Sequence, residues 1–114
     1  MAKAMFDGKA VGGVNLLAAA PIVPGSIVSK PLVQIDGCKV ILFAMDQGQS
    51  ISEHQAPFVL SVHVLDGKLD FAVAGERRTL SAGDFLMVPC DARHDLLAPE
   101  PVRFLLTMVR PAKA

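Results

Sequence analysis

The stretch Val59-Leu60-Ser61-Val62-His63-Val64-Leu65-Asp66-Gly67-Lys68-Leu69-Asp70-Phe71-Ala72-Val73 decides how this chain folds. On either side of Asp66-Gly67 the apolar residues recur with a period of two, the pattern of half-buried strands and not of a helix. Asp-Gly between two such runs is the strongest short-range signal for a two-residue type I′ hairpin. The implied register sets Leu65 opposite Lys68, Val64 opposite Leu69, His63 opposite Asp70, and Val62 opposite Phe71. Leu60, Val62 and Val64 then share an inward face with Leu69, Phe71 and Val73. His63 falls on the other face, paired across the strands with Asp70.

Working outward, the same punctuation recurs along the chain. Turn signals stand at Asp36-Gly37, Gln47-Gly48, Pro57, Gly75-Glu76, Ala82-Gly83, Pro89 to Asp91 and Pro99 to Pro101. Between them lie runs of strand length, clearest at Val40 to Met45, Val59 to Leu65, Leu69 to Ala74, Phe85 to Val88 and Val102 to Val109. Ser26 to Ile35 also reads as strand, and Val14 to Ala20 has room for one helical turn or a short strand. Many short strands at even spacing predict an all-β sandwich, jelly roll or barrel. With 114 residues and 12.1 kDa the chain is long enough for one domain. Surface scaling gives about 6,000 Å² folded against roughly 17,500 Å² unfolded, enough burial for a core without staples.

Composition narrows the function classes. Eleven basic residues balance eleven acidic ones and no basic block occurs, so nothing supplies the phosphate neutralisation that nucleic acid requires. Trp and Tyr are absent, which removes the usual base-stacking platforms. No run reaches the apolar length of a membrane span. Lys3, Lys9 and Ala18-Ala19-Ala20 imitate a signal peptide, but Asp7, Gly12, Gly13 and Asn15 interrupt the pattern. Cys38 and Cys90 have neither disulfide-framework nor zinc-ribbon spacing, and a soluble, cytoplasmic protein with two buried thiols is expected. Only 19% of residues are charged against 52% hydrophobic, an apolar excess that points to a second subunit covering part of the surface.

Two stretches carry a family resemblance. Gly48, five residues, His54, continuing to Leu65-Asp66-Gly67, resembles the first motif of the cupin superfamily, which runs Gly, five residues, His-x-His, three or four residues, Glu, six residues, Gly. Gly83, five residues, Pro89, four residues, His94 resembles the second motif, with 15 residues between Gly67 and Gly83 as in small bacterial cupins of the RmlC-like type. The resemblance covers roughly residues 25–110 and implies a double-stranded β-helix barrel there, preceded by an N-terminal arm over residues 1–24. It also implies a homodimer built by sheet packing, often with the N-terminal strand contributing to the partner.

The departures bear on function. The resemblance implies three His and one Glu as metal ligands, but only His54 and His94 are kept; Ala56 stands at the second His and Leu60 at the Glu. Asp91 replaces the motif glycine and Ala98 the closing Asn. Two imidazoles suit Zn, Fe, Ni or Cu but hold a divalent transition metal weakly, since a tight site uses three protein ligands or more. Gln49 is near enough in sequence to lend a donor, while Glu53 should point to the other side of its strand. The leading expectation is therefore a barrel pocket for a small organic ligand, with His54 and His94 as polar contacts. Ala56, Leu60 and Ala98 would enlarge its apolar wall and Cys90 would border its mouth. Its competitors are a two-His metal enzyme of oxygenase or isomerase type and a structural or regulatory dimer with a vestigial pocket. Met45, Met87 and Met108 read as core filler, and Arg77-Arg78 as a solvated edge that deters pairing with other chains.

Overall fold

The computed structural model describes residues 3–112, whose regular structure is strand apart from one helical turn. One helical turn, α1 (Leu16–Ala19), is capped by the Asn15 side chain, which accepts from the Ala18 amide. Nine strands follow: β1 (Ile27–Ile35), β2 (Cys38–Met45), β3 (Ser50–His54), β4 (Val59–Asp66), β5 (Lys68–Val73), β6 (Glu76–Ser81), β7 (Phe85–Val88), β8 (His94–Leu97) and β9 (Val102–Val109). They form two antiparallel sheets, one ordered β1-β2-β9-β4-β7 and the other β3-β8-β5-β6. This is the expected jelly-roll architecture. The inward face along Val59 to Val73 also matches expectation: Leu60, Val62, Val64, Leu69 and Phe71 are all buried in one core between the sheets. Phe43 of β2 and Phe104 of β9 face each other in register and stack with ring centres 5.0 Å apart.

The pairing across Asp66-Gly67 is different from the hairpin the sequence predicts. β4 and β5 do not pair; they belong to opposite sheets, and Asp66-Gly67 is the corner between them. Both edges of β4 are already occupied, by β9 and by β7, so no edge is left for β5. Asp66 is bound instead to Arg103, whose amide and guanidinium donate to its carboxylate at 3.0 and 2.8 Å. Gly67 has φ +80°, and a Cβ there would lie 2.0 Å from the Pro101 carbonyl oxygen. The positive φ that suits Asp-Gly to a type I′ turn thus serves a corner against which the β8–β9 loop packs. A two-residue hairpin with positive φ at both central residues comes one turn later: Ala74 (φ 51°) and Gly75 (φ 83°) join β5 to β6, with Val73 opposite Glu76.

His63 consequently has no contact in register with Asp70. It lies exposed on the outer face of the first sheet, opposite Leu105 and Phe85, while Asp70 accepts from the Thr79 hydroxyl at 2.7 Å. Met45 is fully buried as expected, but Met87 is 62% exposed, because it occupies the outer face of the edge strand β7. Arg77 and Arg78 do sit on an edge strand, β6.

Of the expected arm, Met1 and Ala2 lie outside the described residues. Of the rest, Met5 and Phe6 run along the free edge of β1, and Leu16 to Ala20 reach the outer face of the larger sheet. The Met5 and Phe6 amides donate to the Pro31 and Leu32 carbonyls, and Phe6 bridges to Val33 in parallel. A second apolar cluster forms beneath, where Phe6, Leu16 and Ala20 meet Leu32, Leu42 and Leu105. The Ala20 carbonyl accepts from Arg103 Nε at 2.7 Å. Part of that outer face is thereby covered by the chain itself.

Candidate functional site

β3 and β8 are neighbours in the smaller sheet, and His54 and His94 are direct partners in their register. Ile51 pairs with Leu96, so three steps along β3 match two along β8. That extra residue is a β-bulge at Ser52-Glu53. Strict alternation would turn His54 to the face opposite Ile51; the bulge brings both to the same face. Glu53 is left outside, in a 3.5 Å ion pair with Arg93 between exposed side chains.

The two rings meet edge to face with centres 4.2 Å apart. His94 also stacks on Phe71 of β5, at 5.7 Å and nearly parallel. Each imidazole is fixed by its own backbone: His54 Nδ1 lies 2.8 Å from the Ser52 carbonyl and His94 Nδ1 lies 3.0 Å from the Ala92 carbonyl. A carbonyl oxygen only accepts, so Nδ1 carries the hydrogen and donates in both rings. In the neutral rings Nε2 is then a lone pair on each. Burial pushes the His94 imidazole below its ordinary value and the neighbouring His54 adds to this, against an upward pull from the Ala92 hydrogen bond and from Asp95. His94 is only 4% exposed; His54 is open to solvent.

The other expected site residues distribute unevenly. Leu60 faces inward from the opposite sheet and packs in the same core as Phe71. Ala56 and Cys90 lie on the β3–β4 and β7–β8 loops at this end of the barrel, which are tied together by the Asp91 amide donating to the Ala56 carbonyl. Ala98 faces inward too, but four residues beyond His94 along the chain, about 13 Å at strand spacing. Its backbone exchanges hydrogen bonds with Gly48 and Gln49 at the opposite end, so Gln49 is equally distant from the imidazoles. Both cysteines are free. The Cys90 thiol is pushed up by partial burial, by its hydrogen bond to Asp91 and by that carboxylate's charge, which opposes thiolate formation.

Three contributors escape a motif reading: Phe71, and the Ser52 and Ala92 carbonyls that set the tautomers. Each ring bonds the carbonyl two residues before it, and nothing in the local composition announces the bulge that turns His54 inward. A cation also shares the inner row. Lys39 of β2 pairs with Met108 of β9, which pairs with inward-facing Leu60.

The donor set does not fit a resident metal. Among the described residues no third His, Cys, Asp or Glu joins His54 and His94, and Leu60 and Ala56 offer no donor side chain. Two imidazoles fall short of the three protein ligands that a tight site uses.

Comparison with known proteins agrees with this architecture. A conserved protein of unknown function from Streptococcus pyogenes superposes with a TM-score of 0.86 over 98% of both chains, at 24% identity. A cupin superfamily protein from Desulfitobacterium hafniense gives 0.82 at 21% identity, covering 86% of this chain and 90% of its own. A cupin 2 conserved barrel domain protein from Leptotrichia buccalis gives 0.82 at 29% identity over 84% of this chain and 47% of its own. Comparison with curated protein sequences gives no match. The family model described as a cupin domain matches residues 41–108. That span is more than half the chain and includes both imidazoles, the bulge beside His54 and the corner at Gly67, and on it the protein belongs to the cupin superfamily.

Proposed function

We propose that the barrel binds a small organic ligand at the open end through Nε2 of His54 and Nε2 of His94. One observation carries this reading: two adjacent imidazoles each commit Nδ1 to a backbone carbonyl, so both Nε2 atoms are left for a donor brought by a ligand. The apolar wall beneath, with Leu60 and Phe71, favours a ligand whose body is hydrocarbon. A fragment screen read on the imidazole resonances tests it. Hits should perturb both rings, and their binding, followed on the compounds' own resonances, should disappear in the His54→Ala/His94→Ala double variant. A screen in which no compound touches either ring removes the reading, and stoichiometric transition metal on freshly purified protein would replace it with the two-His metal enzyme.

The bare part of the outer face supports a homodimer. Phe85 is 67% exposed and Met87 62%, neighbours on edge strand β7, with half-exposed Val109 on the same face. Isolated monomers rarely leave such side chains adjacent and uncovered. Sedimentation should give a dimer for the wild type and a monomer for Phe85→Glu/Met87→Glu; a wild-type monomer at all concentrations ends this part of the reading.

A further inference from the structure

The inner row that contains Leu60 ends on a positive charge. Val88, Leu60, Met108 and Lys39 are successive partners across β7, β4, β9 and β2, so their side chains share a face. Leu60 and Val88 are buried and Met108 packs on the core, which makes that face the interior. Lys39 is half-buried there, at the end of the row nearest Val59 and Val109. Alternation along β2 agrees, since Phe43 packs on the same core and Met45 is part of it.

Topology brings this lysine near the imidazoles. The loop Asp46–Gln49 turns the chain from β2 back into β3 in the other sheet, so the end of β3 returns toward the start of β2. His54 lies three strand steps past Ser50 once the bulge has absorbed one residue, about 10 Å, and Lys39 six residues before Met45, about 20 Å. Along the strands Lys39 is therefore displaced toward the mouth by about 10 Å relative to His54. At this end Lys39 opens on a cleft of about 420 Å³ whose wall is made by the β1–β2 turn with Phe58 and Arg110, beside the imidazoles and not including them. Its carboxylate and one of its cations answer each other, with Arg110 2.9 Å from Asp36. Among the described residues, Lys39 has no ion-pair partner.

Building on the ligand reading above, we propose that Lys39 is the anion-binding residue of the same mouth and that the ligand is a hydroxy-carboxylate. Its hydroxyl donates its one hydrogen to the Nε2 lone pair of His54 or of His94, beside the other ring, its carboxylate meets the Lys39 ammonium, and its hydrocarbon body lies along Leu60 and Met108. Neutral imidazole lone pairs repel a carboxylate and accept a hydroxyl, whereas an ammonium does the reverse, so the two ends of the site select two different groups. Burial of His94, which disfavours its cation, keeps that division.

Para-hydroxybenzoate and its neutral isostere para-hydroxybenzamide are rigid probes of suitable span. The imidazole resonances report the hydroxyl end and Lys39→Met, a near-isosteric change in an apolar row, removes the charge. In the wild type the carboxylate should bind more tightly than the amide. Lys39→Met should weaken the carboxylate about tenfold and leave the amide unchanged, with thermal melting confirming that the variant folds. Equal effects on both probes, or none on either, overturn the role of Lys39 while leaving the imidazole pocket standing. Failure of the wild type to take either probe at millimolar concentration overturns the hydroxy-carboxylate assignment, and the fragment screen then decides the pocket separately.

Discussion

The two ends of the barrel are built on opposite rules. At the Asp66 end the polar groups are answered within the chain. The Asp66 carboxylate takes two donors from Arg103, Arg103 Nε reaches the Ala20 carbonyl, Ala98 exchanges backbone hydrogen bonds with Gly48 and Gln49, and Pro101 closes over Gly67. At the His54 end each imidazole uses one nitrogen internally and leaves the other, and the Glu53–Arg93 pair is an exposed contact worth little. One end is where a substitution should unfold the protein, and the other is where it should alter what the protein holds.

The largest effect expected is at the corner. Gly67→Ala forces a Cβ into the Pro101 carbonyl at a positive φ, and it should cost about 4 kcal/mol or prevent folding. Gly75→Ala is the control: φ is +83° but nothing lies within 4 Å, so only the left-handed strain of about 1–2 kcal/mol applies. Urea denaturation compares them, and similar losses would mean that the packing over Gly67 matters less than its backbone angle. Next comes Asp66→Ala, which strips Arg103 of its carboxylate while the guanidinium stays largely enclosed, for about 2 kcal/mol. At the open end His54→Ala should change stability by less than about 0.5 kcal/mol, since that ring is solvent-exposed. A loss as large as that of Asp66→Ala would erase the distinction between the two ends.

The contrast also explains what the sequence made legible. Period-two alternation from Val59 to Val73 identified the inward residues correctly because it depends only on which face meets the core, and both sheets bury their inner face. It could not identify β5's partner. Asp66-Gly67 supplies a positive φ whether the chain reverses within a sheet or crosses to the next, and occupancy of the β4 edges by β9 and β7 is a long-range fact. The imidazole pair was accessible through motif spacing, yet its geometry depends on a bulge that has no composition of its own. Lys39 was invisible to the motifs and needed only its register: a lone cation in Val-Ile-Leu-Phe-Ala-Met, on the parity of Phe43 and Met45.

The smallest expected effect separates the ends by pH. Burial holds the His94 imidazole below its ordinary value of about 6.5, so the folded state binds that proton less readily than the unfolded chain does. The contribution is therefore fully present above about pH 6.5 and is lost as pH falls through the lowered folded value, where the unfolded chain gains a proton that the native ring resists. His54 on β3 adds to the resistance, while Asp95 on β8, itself bound to Arg77, and the Ala92 carbonyl oppose it. His94→Phe retains an aromatic ring against Phe71 and removes the titration. Urea midpoints at about pH 8 and about pH 5 should therefore converge in His94→Phe relative to wild type. An unchanged difference between the two pH values would assign the slope to groups elsewhere and would mean that burial does not hold the His94 ring neutral at the mouth.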